Sequence, residues 1–392
     1  MTSVKFSTTS DIVFGAGSLS EIGVLAKHSG IRHALLVTDG GIAARQMHAP
    51  AIASLEAAGV AVSVYAEVVA DPPTAIVLEA TAFARQAGCD GVIGFGGGSS
   101  MDTAKLVAVL MCGEQSLETM YGVDKVNSRR MPLIQVPTTA GTGSEVTMVA
   151  VVTTGATTKM GVVSRTLLAD RVILDPLLTL SMPAPVTAAT GIDAMVHAIE
   201  AYTSLRLKNP LSDMLAREAL RLLATHIERA VVSPTDVEAR GAMLLGAMYA
   251  GQAFANAPVA AVHALAYPLG GNYHIAHGLS NSLVLPHVLR FNEPAAEPLY
   301  QELLPLVFGA NAATSSSASQ PLADGSASRR LAEHFLTLAR RLGIATQLRE
   351  MDIPRGDLPR LAAEAMLQQR LLVNNPRVMT EADALAIYEQ AF

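Results

Sequence analysis

Tryptophan is absent from this chain of 392 residues, cysteine occurs twice, and aromatic residues make up only 4%. Two cysteines, Cys89 and Cys112, cannot build a disulfide framework and suit a reducing compartment. Charge is scarce as well: 16% of residues are Asp, Glu, Lys or Arg, against 50% that are hydrophobic. That balance excludes a disordered chain and implies compact globular structure. No Lys/Arg run exceeds a pair such as Arg129-Arg130 and the formal net charge is −6, so no nucleic-acid partner is expected. Residues 1–11 are polar and lack the apolar core of a signal peptide, which leads us to expect a cytoplasmic protein. Residues 241–289 contain no Asp, Glu, Lys or Arg, yet Gln252, Asn256, Pro258, His263, Pro268 and Asn272 interrupt the apolar runs. The stretch reads as buried helices around a polar site, and no membrane span is expected.

What the chain does have is an alternation of strand and helix signals, and its length favours two domains. Asp11-Ile12-Val13-Phe14-Gly15-Ala16-Gly17 reads as a strand ending in a glycine turn, with Ser18 capping a helix through Ala26. His33-Ala34-Leu35-Leu36-Val37-Thr38-Asp39 is an apolar run of strand length that ends on an acid and the pair Gly40-Gly41. A helix to about Ala58 and a strand over 61–65 follow, and the continuing alternation predicts a parallel sheet covered on both faces. Ligands of such sheets lie beyond the carboxyl ends of the strands. From Leu174-Asp175-Pro176 the strand signals fade, and from Pro185 the pattern is helical almost to the end. The boundary is therefore placed near residue 180, giving an α/β domain over 1–180 and an all-helical domain over 181–392. Residues 309–328, rich in Ala and Ser, are expected to form a mobile loop between helices.

Two loops at strand ends have the chemistry of an anion cradle. Asp90-Gly91-Val92-Ile93-Gly94-Phe95 runs into Gly96-Gly97-Gly98 and then a Ser-capped helix to about Met111. Glycines let a backbone approach its ligand, and a new helix points unpaired N–H groups outward, so pyrophosphate is the natural guest. The stretch is not the G-x-G-x-x-G fingerprint, because Ser99 holds the third glycine position. A tight turn without a ligand is the competing reading. Pro132-Leu133-Ile134-Gln135-Val136-Pro137 is a second strand, followed by Thr138-Thr139-Ala140-Gly141-Thr142-Gly143-Ser144, whose small donors fit a second wall around phosphate and ribose. A ligand-free Thr/Gly-rich surface loop is the alternative there.

The helical half holds a different constellation. Thr190 reads as an N-cap, and beyond it Asp193 and His197 stand four apart on one helix face. A carboxylate and an imidazole so placed are either convergent ligands for a divalent metal or a hydrogen-bonded pair inside a packed helix. His263 and His277 lie fourteen apart, separated by Pro268 and Gly270-Gly271, so only the fold can bring them together. Burying several imidazoles in a charge-free region is costly without partners, which favours the ligand reading.

Taken together, these segments resemble the iron-containing (group III) alcohol dehydrogenase family, from near the N-terminus to Asn375-Pro376-Arg377. The resemblance rests on Gly96-Gly97-Gly98-Ser99 with Asp102, on Pro137-Thr138-Thr139 with Gly141-Thr142, on Gly191-Ile192-Asp193-Ala194 with His197-Ala198-Ile199-Glu200, and on His263-Ala264-Leu265 with His277-Gly278. It implies a dehydroquinate synthase-like fold, in which an N-terminal α/β dinucleotide-binding domain precedes an all-α metal-binding domain. It further implies Asp193, His197, His263 and His277 as ligands of Fe(II), with Zn(II) the other candidate. Asp39 would take the adenine-side ribose of NAD, and Gly97, Gly98, Ser99, Asp102, Thr138, Thr139, Thr142 and Lys159 would line the cofactor.

The implied reaction is reversible hydride transfer between an alcohol or hydroxy acid and NAD, with the metal as Lewis acid and a homodimer or higher homo-oligomer as the assembly. One position departs from the family: many members carry a histidine four residues after the one at 263, where this chain has Tyr267. Tyrosine is a weaker base, so the proton route through this position is open, with His274 as the alternative carrier. The Tyr267-Pro268 pair is similar to the hydroxyacid-oxoacid transhydrogenase branch. Transhydrogenase-like or maleylacetate reductase-like activity, a lyase of the dehydroquinate synthase type that uses NAD transiently, and a catalytically silent binding protein are the competing readings.

Overall fold

Runs of Val, Ile and Leu without polar alternation build strands buried on both faces, as a parallel sheet requires. In the computed structural model, which describes residues 3–155, 158–309 and 325–392, they form part of one of two compact units. The units are Ser7–Met182 and Pro183–Phe392, the latter joined by the first residues up to Phe6.

The first unit holds strands β1 (Asp11–Phe14), β2 (His33–Asp39), β3 (Ala61–Val68), β4 (Gly91–Gly96), β5 (Gly122–Val123), β6 (Leu133–Pro137), β7 (Val149–Thr154), β8 (Thr158–Val163) and β9 (Arg171–Leu174). Its helices are α1 (Ile22–His28), α2 (Gly40–Ala44), α3 (Ala49–Ala57), α4 (Thr74–Ala87) and α5 (Gly98–Leu110). Six strands make one all-parallel sheet in the order β1-β9-β6-β4-β2-β3. Its central register pairs Leu36 with Ile93 and Ile93 with Ile134. Ile93, Ile134, Val136 and Ile173 of the sheet share a core with Ile22 of α1 and Leu55 of α3. A second sheet, β5-β8-β7, was not anticipated; in it the β7–β8 pair is antiparallel.

Three local expectations are corrected. Ser18 does not cap a helix: its hydroxyl donates to Leu174 O, residues 18–21 form a 3₁₀ turn, and α1 begins at Ile22. The N–H groups of Gly17 and Leu19 are satisfied instead by the Asp175 carboxylate, at 3.0 and 3.1 Å. The helix after β2 is split into α2 and α3, with Gln46 in the left-handed region between them (φ 52°). The helix after β4 starts at Gly98 with Gly97 at the cap position and no capping side chain, so Ser99 lies inside its first turn.

The second unit is helical throughout its described residues: α6 (Ala184–Thr203), α7 (Pro210–Val232), α8 (Val237–Asn256), α9 (Ala261–Tyr273), α10 (His277–Phe308), α11 (Ala327–Arg341), α12 (Leu358–Ala365), α13 (Gln369–Leu372) and α14 (Glu381–Ala391). Asn209 caps α7, Asp236 caps α8, and Thr380 with Asp383 forms a capping box on α14. Thr190 is not an N-cap. The Ala-rich run carries α6 back to Ala184, with Pro185 in its first turn, and the Thr190 hydroxyl bonds Val186 O one turn earlier. Nor do Pro268 and Gly270-Gly271 break the chain, for α9 runs through them to Tyr273. Most of the Ala/Ser-rich stretch expected to be a mobile loop, residues 310–324, lies outside the described residues. Among the described residues no helix is long and apolar enough to cross a membrane.

Candidate metal centre and dinucleotide cradle

Asp193 and His197 stand one turn apart on α6, and Glu200 continues the same face at the next turn. All three are buried. From α8 Phe254 stacks on the His197 ring, with centroids 4.4 Å apart, and from α9 His263 stacks on it at 4.8 Å. His277 opens α10. A Cβ at Gly278 would lie 2.4 Å from Ala189 O and 3.1 Å from Asp193 Cβ, so glycine is what lets the start of α10 approach α6.

The result is a convergent donor set. Asp193 Oδ1 lies 3.9 Å from His197 Nε2, 4.0 Å from His263 Nε2 and 3.8 Å from His277 Nε2, and the four ligand atoms are all within 4.8 Å of one another. A tetrahedron with bonds of ~2.1 Å has edges of about 3.4 Å, so small side-chain shifts close this set around an ion. Asn281, one turn into α10 from His277, places Nδ2 2.6 Å from Asp193 Oδ1 and 3.3 Å from both His263 Nε2 and His277 Nε2. Its Oδ1 is buried with no hydrogen-bond partner among the described residues. A donor pointed at three acceptors, with an orphaned acceptor behind it, is how a protein fills space that suits a cation. Burial opposes ionisation of Asp193, but His197, His277 and His263, together with the Asn281 amide, outweigh it and hold its carboxyl below the usual range.

Behind the donors, Glu200 Oε2 lies 2.6 Å from His263 Nδ1, and Oε1 accepts from Val262 N at 2.7 Å. Tyr267, one turn beyond His263, has its ring 6.0 Å from that of His277. His274 is exposed at the C-terminal cap of α9 with φ 53°, and it is not a member of the four-donor cluster.

The first unit gathers the other expected residues except Lys159 at or just beyond the carboxyl ends of three neighbouring strands, β2, β4 and β6. Asp39 ends β2, and its Oδ1 accepts from Gly41 N at 2.9 Å and Ile42 N at 3.0 Å, which leaves Oδ2 without a partner among the described residues. Capping and ribose binding are thus compatible. After β4, Gly97 and Gly98 open α5; a Cβ at Gly98 would crowd the Thr142 side chain at 3.0–3.3 Å. After β6, Thr138 N donates to Gly96 O at 2.9 Å, and Thr139 Oγ1 is buried without a partner among the described residues. An uncapped helix start beside an unspent hydroxyl fits a pyrophosphate group.

Asp102 and Lys159 have protein partners. Asp102 braces α5 against β7, accepting from Ser144 Oγ at 2.5 Å, Lys105 Nζ at 3.4 Å and Val151 N at 2.9 Å. Lys159, on β8, sits 2.6 Å from Asp71 Oδ1, an ion pair that a ribose hydroxyl would have to share. The sequence reading missed Lys105, which is fully buried and also bonded to Ser144 Oγ (2.8 Å), Thr147 Oγ1 (3.1 Å) and Val149 O (2.7 Å). It also gave no role to Glu200 and overlooked Asn281, although helical spacing carried a signal for both: Glu200 stands seven residues after Asp193, and Asn281 four after His277.

An α/β unit with a dinucleotide cradle and a helical unit with an Asp/His₃ centre define a metal-dependent, NAD-linked oxidoreductase. Residues 9–176 match the model of the family "Iron-containing alcohol dehydrogenase", and residues 187–392 that of the "Fe-containing alcohol dehydrogenase family, C-terminal". The chain therefore belongs to the iron-containing alcohol dehydrogenase family and is an enzyme acting on alcohols. It is similar to long-chain-alcohol dehydrogenase 1 of Geobacillus thermodenitrificans (strain NG80-2), at 41% identity over 381 residues, 96% of this chain and 94% of the relative. A solved 1,3-propanediol oxidoreductase superposes with TM-score 0.92 at 33% identity, covering 100% of both chains. Sulfoacetaldehyde reductase from Bifidobacterium kashiwanohense, solved in complex with NAD+, superposes with TM-score 0.87 at 28% identity, covering 100% of this chain and 99% of that one.

Proposed function

We propose that Asp193, His197, His263 and His277 hold one divalent metal, Fe(II) by family with Zn(II) as the alternative, and that the chain interconverts an uncharged alcohol and its aldehyde or ketone with NAD. The observation that carries this reading is the convergence of one carboxylate oxygen and three Nε2 atoms within 4.8 Å. When bound, the metal supplies Lewis acidity toward the substrate oxygen, and the dinucleotide supplies hydride chemistry. The protein's own share is orientation. Asp193 brings the charge, Phe254 fixes the His197 ring plane, and Gly278 sets the approach of His277. Gly97, Gly98, Ser99, Thr138, Thr139 and Thr142 would cradle the cofactor phosphates and Asp39 its adenine-side ribose.

The preference for uncharged substrates is supported by α6 and α9, which carry two ligands and a third without a single Lys or Arg to meet a hydroxy acid's carboxylate. Self-association is supported by Leu205, Leu207, Leu211 and Met214, all exposed at 46–62%. We read the enzyme as a cytoplasmic homo-oligomer on that basis and on composition.

The test is a panel of alcohols, diols and hydroxy acids run on stripped and on Fe(II)- or Zn(II)-reconstituted protein. Asp193→Ala and His263→Ala should lose bound metal and turnover while still binding NAD. Full activity of metal-free protein would remove the four-ligand assignment.

A further inference from the structure

We infer that Glu200 is a positioning residue that fixes the tautomer of His263 and so makes its Nε2 a ligand. The inference rests on the metal reading above. In a neutral imidazole one nitrogen donates and the other accepts, and only the accepting nitrogen can bind a metal. The His263 Nδ1 lies 2.6 Å from Glu200 Oε2, and an ionised carboxylate can only accept, so Nδ1 carries the proton and the Nε2 lone pair faces the donor set.

The second carboxylate oxygen is engaged as well, which holds the carboxylate in place. Glu200 Oε1 accepts at 2.7 Å from Val262 N, a backbone donor that cannot change its role. Glu200 and His263 are 4% and 3% exposed, so water is not at hand to replace either bond. Asp193, His197 and Glu200 share one face of α6, so this helix both carries two ligands and orients a third that belongs to α9.

Glu200→Gln isolates the effect because it keeps shape and packing. If the amide oxygen stays on Val262 N, the NH₂ group faces His263 Nδ1 and turns it into an acceptor. The proton then moves to Nε2, and the ring cannot bind metal without a tautomer change. If the amide turns over, two donors meet at Val262 N. Either way the metal is held less tightly, by the roughly 10–100-fold typical of a lost carboxylate behind a histidine ligand.

The experiment uses the full-length protein, stripped and then titrated with Zn(II) and Co(II) against a competing chelator. Glu200→Gln should bind both ions roughly 10–100-fold more weakly than wild type and alter the Co(II) visible spectrum. A role confined to packing α6 on α9 would lower the melting temperature of the metal-free protein and leave affinity and spectrum unchanged, which overturns the inference. Should the variant not fold, ¹⁵N shifts of the imidazoles of metal-free wild type decide: a proton on Nδ1 of His263 supports the assignment, and a proton on Nε2 overturns it. Wild type that takes up neither ion rejects the metal reading itself, whereas wild type and Glu200→Gln binding equally tightly rejects only the role of Glu200.

Discussion

Replacing Asp39 separates two jobs that one carboxylate performs at the end of β2. Its Oδ1 caps α2 through Gly41 N and Ile42 N, while Oδ2 remains for a ribose. Asn keeps a capping oxygen and discards the charge; Gly discards both. An N-cap Asp replaced by Gly costs only a few tenths of a kcal/mol, so Asp39→Gly should melt slightly lower and Asp39→Asn should match wild type. Cofactor choice depends on the charge instead. A carboxylate ~5 Å from the doubly charged 2′-phosphate of NADP, in surroundings between water and protein surface, is disfavoured by about 3 kcal/mol, on the order of a hundredfold. Wild type should therefore favour NAD, both variants should narrow the preference by a similar factor, and added salt should narrow it further. The assay is kcat/KM with each cofactor at two ionic strengths, beside a melting curve. Wild type favouring NADP, or a ratio unmoved in both variants, would refute the assignment of Asp39 to the ribose.

Two further outcomes are expected. Tyr267→Phe should leave turnover and its pH profile nearly unchanged, because the ring already stands beside His277 as packing; a drop of roughly 10²-fold would assign its hydroxyl to proton transfer. His287, 6% exposed on α10, has its pKa pushed down to about 4 by burial and then by Arg290. Above the ordinary value near 6.5 both folded and unfolded states are neutral there. As pH falls toward 4 only the unfolded state takes the proton, so stability drops by up to about 3 kcal/mol across that window. Chemical denaturation of metal-free protein at pH 7 and pH 4.5 should show this loss, and His287→Gln should reduce it; equal losses would exclude His287 as its source.

How much of this was legible in the sequence depended on whether the signal was local. The apolar strands ending at Asp39 and Gly96 were readable because parallel strands carry long uninterrupted hydrophobic runs. The spacing of Asp193 and His197 was readable because a helix has a fixed period. Helix starts were misread where tertiary partners took over: Ser18 was diverted to a strand carbonyl, and Asp175 did the capping from far along the chain. The β7–β8 pair, only partly buried and mixed with Thr153, Thr154, Thr158 and Lys159, gave no apolar run that stood out. The bracing of Asp102 by Ser144 joins residues that no periodicity relates, and its i,i+3 partner Lys105 reads from sequence as an ordinary helix pair. Convergence of His263 and His277 on α6 was implied only by the family resemblance, since the close approach depends on what surrounds Gly278.

The absence of Lys and Arg from α6 and from residues 241–289 also bears on which ion the centre suits. In the first unit the buried Lys105 is met by Asp102, with Glu145 close enough to act on it, so the chain supplies both signs. In the helical unit Asp193 and Glu200 are buried on α6, which has no Lys or Arg, and residues 241–289 add none. Among its described residues this unit also buries Arg240, whose guanidinium donates to Pro234 O and Thr187 Oγ1. Burying a carboxylate without a compensating charge costs several kcal/mol, and here there are two. As metal ligands the three imidazoles would be neutral and would add no charge of their own. A doubly charged ion among Asp193, His197, His263 and His277, with Glu200 behind His263, would match the two carboxylates buried on α6. The same scarcity of charge that led us to expect no nucleic-acid partner therefore fits the proposal of a divalent metal at this centre.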